Sequence, residues 1–275
     1  MSFLELFWPS IVAAVVVGAA APAIGAFVVQ KRLSLMGDVI GHIAFAGVAV
    51  GLWLKIAPLA AALVASIIGA LGIDRLRRRT PEEADLALAL FSYTAIAITV
   101  VVASRTGTFN AGLLGFLFGQ VLTVTRTELL TIAGLGAAVA IAVGALYRGL
   151  LAIAIDEEAA AVAGVPVGTL NAVVMVLAAT AVGVGMQVVG ILLVAALMVL
   201  PVGIARNLFN GFRTVLVASA AIGAAAAFGG LFVADAADTA AGGTIVVILA
   251  ALYALSDVAR RGRVVIGRRT PRGSE

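Results

Sequence analysis

The chain has 275 residues, of which 63% are hydrophobic and only 12% are charged, and its mean hydropathy is +1.19. Soluble domains are about half apolar and about one quarter charged, so this composition excludes a soluble globular protein, and the net charge of +4 is read as a sign of membrane topology rather than of nucleic-acid binding. The chain contains no cysteine, which excludes disulfides, thiolate metal sites and cysteine nucleophiles.

Long apolar runs recur along the chain and lack the period-two alternation of an outer-membrane barrel. A helix satisfies its own backbone hydrogen bonds in lipid, and about twenty residues cross about 30 Å of hydrocarbon. This length predicts an all-α membrane protein, a polytopic bundle with one transmembrane domain over 1–275 and about nine spans, eight being possible. The predicted spans are 11–29, 36–54, 58–73, 86–104, 128–147, 168–186, 189–206, 214–233 and 244–258.

The distribution of basic residues predicts the orientation. The first span has no Lys or Arg before it and is followed at once by Lys31 and Arg32, unlike a cleaved signal peptide. With the N-terminus outside, nine crossings place 15 of the 18 Lys and Arg residues inside, six of them in a cytoplasmic basic tail at 259–275. Eight spans would break this pattern across half of the protein. The stretch 110–124 is too short and glycine-rich to cross, which predicts a re-entrant or interfacial outer helix.

Asp38 and His42 lie within the second predicted span, and His42 is the only histidine of the chain. A spacing of four places both side chains on one helix face. A charge inside a span costs about 2.5–3.5 kcal/mol, so such groups indicate function. One carboxylate and one imidazole make half a site for divalent Zn, Mn or Fe, with the remaining ligands coming from carbonyls, water or a partner subunit. The alternative is a structural polar contact in an apolar bundle.

The segment 154–166 predicts a short cytoplasmic helix, because acidic residues start it and Gly164 and Pro166 end it. It is either a surface connector, which its loop position favours, or a docking element for a cytoplasmic partner. Pro201 predicts a kink or a helix end. On the outer side, Asp235 and Asp238 are either solvated loop acids or secondary site candidates. The chain has no nucleophile elbow, zinc-protease motif or P-loop, so no catalytic residue is assigned and no ATP hydrolysis is expected.

Four segments resemble, in the same order, motifs of the membrane permeases of the zinc/manganese/iron ABC transporter family (ABC-3 type). They are 31–42 with Asp38 and His42, 156–166, 189–205, and 238–246. Three positions depart from the family's pattern: Gly41 replaces Ser or Ala, Gly203 replaces Ala, and Ala240 replaces Pro. The change at Gly41 is expected to matter most, because a hydroxyl beside His42 would orient that ligand.

The resemblance implies a multi-pass permease of the bacterial cytoplasmic membrane that serves an ATP-driven importer of Zn, Mn or Fe(II), with no permanently bound cofactor. It implies alternating access across a homodimer, with cytoplasmic ATP-binding subunits, an extracytoplasmic metal-binding protein and membrane lipid as partners and no nucleic acid. Asp38 and His42 would handle the metal. The segment 154–166 would become a coupling helix that contacts the ATPase through Asp156, Glu157, Ala160, Ala163, Gly164 and Val165.

Three alternatives remain at this point. A permease for iron-siderophore or cobalamin-type complexes shares the multi-span plan, but it needs a wide pore and no metal-ligating pair. A secondary metal carrier driven by an ion gradient needs no ATPase, and such carriers are often built from inverted repeats, which the two halves of this chain do not show convincingly. An intramembrane enzyme is disfavoured because the spans hold little acid–base equipment.

Overall fold

The computed structural model describes residues 3–79, 84–106, 115–117, 119 and 124–267. Within these ranges the chain forms ten helices of six residues or more, and no strand is found there. The helices are α1 (Phe3–Gln30), α2 (Met36–Leu54), α3 (Pro58–Arg79), α4 (Ala84–Thr106), α5 (Arg126–Ile155), α6 (Glu157–Val162), α7 (Val167–Val189), α8 (Ile191–Leu208), α9 (Phe212–Ala236) and α10 (Ala241–Gly267). The predicted all-α class is confirmed.

Nine of the helices in the described residues, all except α6, are long and apolar enough to cross a membrane. The predicted count of nine is therefore confirmed. The bounds of α2 coincide with the predicted span 36–54, whereas most other helices continue beyond the predicted length. The predicted span 128–147 stops just before Arg148, but Arg148 lies inside α5, because that helix runs on to Ile155 before Asp156 ends it.

Three further predictions concern Pro201, the basic tail and the outer helix. Pro201 does not end a helix, because α8 continues to Leu208. The predicted basic tail 259–275 starts within α10, which extends to Gly267, and residues 268–275 lie outside the described residues. The predicted outer helix at 110–124 also lies largely outside them, although residues 115–117 are helical and Phe116 packs against an apolar cluster that includes Ala44, Val48 and Met186.

Helix α1 lies at the centre of one half of the bundle and packs against α5, α7, α8 and α9. The closest approaches use glycine. A Cβ added at Gly25 would lie 1.9 Å from the carbonyl oxygen of Met198, so only glycine lets α1 and α8 come this close. Helix α2, which contains Asp38 and His42, lies in the other half and packs against α3, α4, α7 and α8.

The two ends of the bundle differ in charge. At the end that we name the basic end, defined by Lys31, Arg78 and Arg206, the turn after α1 meets α6, the start of α7 and the end of α3. At the opposite end, Gln187 of α7 donates a hydrogen bond to Glu128, which also forms the capping box of α5 with Thr125. Basic residues thus gather at one end of the bundle, as expected when successive spans run antiparallel. The cytoplasmic location of the basic end stays a prediction.

Candidate metal pathway and coupling segment

The helix that carries the candidate metal pair is buried on most of its surface. Of its 19 residues, 12 are buried against neighbouring helices. Asp38, His42 and Phe45 are three partly exposed residues of the helix, spaced by four and three positions, so they form one stripe along α2. Asp38 lies in the first turn of α2, where the positive end of the helix dipole favours a carboxylate.

Asp38 and His42 face each other within this stripe. His42 Nε2 lies 3.6 Å from Asp38 Oδ2, which is longer than a hydrogen bond. The side chains are 49% exposed at Asp38 and 30% exposed at His42. Both therefore retain free ligand atoms and are accessible from outside a single copy of the chain. The predicted sharing of one helix face is seen in the structure.

The neighbours of α2 show that this pair lies at the depth of the spans. A Cβ built at Gly37 would contact Met198 of α8, and one at Gly41 would contact Ile191 of α8 and Val182 of α7. Next to His42, Ile43 lies against Gly69, at the middle of α3. These contacts place the candidate pair beside the interior of three spanning helices rather than in a solvated loop.

The same contacts explain the unusual Gly41. A Cβ at this position would lie 2.8 Å from Cγ2 of Ile191, so a larger residue would require that side chain to shift. Gly203 is similar, because its Cβ would lie 2.8 Å from a ring carbon of Tyr253. The sequence suggested an effect of Gly41 on ligand orientation, and the structure adds a packing reason for the glycine.

The other acidic candidates do not join the pair. Asp235 and Asp238 are exposed at the connection between α9 and α10, and Asp238 adopts a positive φ of 50°. Among the described residues, no group of three or more His, Cys, Asp or Glu side chains could hold a metal ion. One copy of the chain thus offers two candidate ligand side chains on α2, and further ligands would come from elsewhere.

The predicted segment 154–166 contains a short, well-capped helix. Asp156 caps α6, because its Oδ1 accepts hydrogen bonds from the backbone N–H groups of Glu158 at 2.9 Å and Ala159 at 3.0 Å. At the other end, Gly164 adopts φ of +79°, and its N–H and that of Val165 donate back to Ala161 and Ala160. This Schellman motif requires a left-handed residue, which explains the glycine.

The surface of α6 differs from the predicted contact set. Val162 is 92% exposed, and Ala159, Ala161 and Ala163 are exposed beside it. Ala160, in contrast, is only 4% exposed. One face of this helix, with Ala160, therefore packs on its own chain, and the predicted contact of Ala160 with the ATPase stays a prediction.

Glu157 also points inward, and it forms a cluster that the sequence analysis missed. Its Oε1 lies 2.6 Å from Nζ of Lys31, and its Oε2 accepts a hydrogen bond from Nδ2 of Asn171 at 3.2 Å. Lys31 also donates to Oδ1 of Asn171. We name these three residues the Lys31 bridge. In the sequence, Lys31 indicates only the orientation of the first span. No local pattern predicts a contact between residues so far apart in sequence.

Burial and charge oppose each other in the Lys31 bridge. Burial lowers the pKa of Lys31, and the hydrogen bond and charge of Glu157 offset this only in part. At Glu157 burial acts to raise the pKa, but the hydrogen bond and charge of Lys31, together with the Asn171 bond, outweigh it and leave the pKa lowered. The bridge is therefore an ion pair held at a cost in desolvation.

Comparison with known proteins agrees with this architecture. The model of the ABC 3 transport family matches residues 4–260. The chain is 30% identical to the manganese transport system membrane protein MntC of Halalkalibacterium halodurans over 247 residues, which cover 90% of this chain and 85% of that protein. It is 26% identical to the high-affinity zinc uptake system membrane protein ZnuB of Haemophilus influenzae, over 92% of this chain and 97% of the relative.

A solved structure gives the same result. The fold matches PsaBC from Streptococcus pneumoniae, solved in complex with a Fab, with a TM-score of 0.82 and 29% sequence identity. The match covers 92% of this chain and 92% of the other. Because the match runs over nearly the whole length of both chains, the similarity concerns the overall architecture rather than one segment.

Proposed function

The chain belongs to the ABC 3 transport family, as a membrane permease subunit and not an enzyme, and we propose that it imports divalent transition-metal ions across the bacterial cytoplasmic membrane. Its multi-pass architecture fits this location. Relatives named for manganese and zinc transport support Mn²⁺ or Zn²⁺ as cargo, and Fe²⁺ shares their preference for imidazole and carboxylate ligands.

The observation that carries the proposal is the half-exposed Asp38–His42 pair on an otherwise buried helix. An ionisable pair that faced lipid would be costly, so this stripe faces either a second copy of the chain or a water-filled path. Two copies around a common axis supply two carboxylates and two imidazoles. That is a complete first-row metal site built from two half-sites. The 3.6 Å separation within each half suits an ion that must bind and leave.

In this proposal the ion moves by alternating access across a homodimer, driven by cytoplasmic ATP-binding subunits. The exposed face of α6, with Val162 and Ala163, is the docking surface for the ATPase. An extracytoplasmic metal-binding protein delivers the ion at the opposite end of the bundle. Membership of an ABC family disfavours the secondary-carrier alternative, since such a carrier needs no ATPase.

Metal uptake by a double variant tests the assignment of the pair. Replacing Asp38→Leu together with His42→Met removes the carboxylate and the imidazole and leaves two apolar side chains of similar size, so assembly should persist and uptake of Mn²⁺ and Zn²⁺ should be lost. The matched control is Asp257→Leu with Arg261→Met, which removes another pair at the same spacing, 2.8 Å apart on α10. Normal metal uptake by the double variant in a well-assembled transporter would contradict the proposal and favour the permease for larger complexes.

Crosslinking tests the docking surface on α6. The chain has no cysteine, so single cysteines can be introduced without further changes. Val162→Cys and Ala163→Cys should crosslink to the ATPase subunit, whereas Ala160→Cys should not, because Ala160 is buried within this chain. Crosslinking from Ala160→Cys alone would place the docking surface on a different face.

A further inference from the structure

The Lys31 bridge connects three elements at the basic end. Lys31 directly follows α1 and begins the turn to α2, Glu157 is the first residue of α6, and Asn171 lies in α7. Lys31 and Asn171 are the most buried members, with a 3% exposed side chain at Lys31 and a fully buried residue at Asn171. The bridge thus binds the short exposed helix α6 to the turn that leads directly into the candidate metal pair.

Backbone hydrogen bonds attach the turn between Lys31 and α2 to the end of α1 and to the start of α2. The N–H groups of Arg32 and Leu33 donate to Val29 and Val28 at 3.0 Å each, and Met36 N–H donates to Leu33 at 2.9 Å. Leu33 and Met36 are buried. A turn that is attached to both helices and anchored by buried apolar side chains links Lys31 to the first turn of α2, so we expect a displacement of Lys31 to reach Asp38.

Stability alone is a weak reason for this arrangement. A buried ion pair loses solvation that its Coulomb attraction repays only when the geometry is good, and an apolar pair of similar volume is often as stable. The ion pair and hydrogen bonds do, however, fix direction as well as distance, because Asn171 accepts from Lys31 and donates to Glu157. A directional contact between two elements transmits displacement better than an apolar one that can slide.

We propose that the Lys31 bridge is a positioning element that transmits the displacement of α6 to the Asp38–His42 pair. The inference rests on the proposed function, in which an ATPase moves α6 and the pair handles the ion. Helices α5 and α7 are joined to α6 by the chain itself. Helix α2, which carries the pair, is joined to α6 through Lys31 and Glu157 instead.

Two double variants separate transmission from packing. Lys31→Met with Glu157→Leu removes both charges at once, so no unpaired charge is left buried. Lys31→Glu with Glu157→Lys reverses the pair, and rotation of the Asn171 amide restores a donor and an acceptor to the exchanged partners. Each variant is studied as the full permease with its ATPase and metal-binding protein in proteoliposomes. The two readouts are Mn²⁺ ions transported per ATP hydrolysed and Mn²⁺ binding to the complex.

We expect the neutral pair to lower transported ions per ATP at least tenfold while assembly and Mn²⁺ binding stay at wild-type levels. The reversed pair should recover at least half of the wild-type ratio. A wild-type ratio in the neutral pair overturns the inference, as does a reversed pair that behaves no better than the neutral one. The Asp257→Leu, Arg261→Met control should leave the ratio unchanged.

A milder variant covers the case in which the neutral pair fails to assemble. Lys31→Arg keeps the charge but changes the length and shape of the donor, so it should assemble and give an intermediate ratio. A wild-type ratio for this variant would count against a geometric role. Failure of the proposed function itself gives a different result, because Mn²⁺ binding would then be insensitive to loss of Asp38 and His42, whatever the Lys31 variants do.

Discussion

Two side-chain pairs connected by one short turn differ in almost every physical property. Asp38 and His42 are 3.6 Å apart, with side chains 49% and 30% exposed, on one stripe of α2. Lys31 and Glu157 are 2.6 Å apart, with the lysine side chain only 3% exposed, at the basic end. The first pair is loose and accessible, and the second is tight and shared with Asn171.

The difference teaches what each pair can do. A loose pair keeps lone pairs free for a passing ion, and its loss leaves no buried charge behind. A tight buried pair has no free ligand atom to offer, and the loss of one partner leaves the other charged and unsolvated. Separation and burial therefore distinguish the proposed metal pair from a contact that holds two elements together.

The largest expected effect comes from the loose pair and appears in transport. Asp38→Asn keeps the size of the side chain but removes the carboxylate, so metal uptake should fall by about 100-fold or more, since even changes to groups behind a ligand cost 10–100-fold. The temperature of thermal unfolding should stay close to wild type, because exposed ion pairs contribute about 1 kcal/mol or less. A large loss of thermal stability with uptake retained would reverse the roles of the two pairs.

The tight pair should show the opposite pattern. Glu157→Leu alone leaves Lys31 charged and buried, and it should destabilise the protein by about 3 kcal/mol, the lower end for a broken buried pair, because Glu157 is partly exposed. Adding Lys31→Met should recover most of that loss. Thermal unfolding of the detergent-solubilised protein measures both. Equal destabilisation by the single and the double change would show that the charge of Lys31 is not the cause.

The sequence predicted the loose pair but not the tight one, and the reason is distance along the chain. Asp38 and His42 are four residues apart, so helix geometry alone brings them together. Lys31, Glu157 and Asn171 meet only because the end of α1 and the starts of α6 and α7 lie at the same side of the bundle. No local sequence pattern encodes this arrangement. The helix count followed from apolar length. The burial of Ala160 did not follow from the sequence, because the inner and outer faces of a six-residue helix look alike in an alanine-rich sequence.

A smaller effect is expected at Gly164, where α6 ends. Gly164 and Gly134 both have open space around an added Cβ, but only Gly164 has a positive φ, at +79°. Gly164→Ala should therefore cost about 1 kcal/mol and lower the amount of metal transported per ATP, because the capped end of α6 would distort. Gly134→Ala, in the interior of α5, is the matched control and should be neutral or slightly stabilising. If both variants transport the same amount of metal per ATP, the capped end of α6 is not needed for coupling.

The smallest expected effect is the response of the Lys31 bridge to acid. Burial acts to raise the pKa of Glu157, but Lys31 and Asn171 lower it overall from an ordinary value of 4.5. A carboxyl whose pKa is lower in the folded protein stabilises it fully above its ordinary pKa, and that contribution is lost as pH falls through the lowered value. Between pH 7 and pH 5 the difference in unfolding temperature between wild type and Glu157→Gln should thus stay constant, and it should shrink by a few degrees only below about pH 4.5. Asp257→Asn, at the exposed pair on α10, is the control for general acid effects. If the difference in unfolding temperature already shrinks between pH 7 and pH 5, Lys31 does not keep Glu157 ionised. The Lys31–Glu157 pair would then not be the tight ion pair on which the contrast with Asp38 and His42 rests.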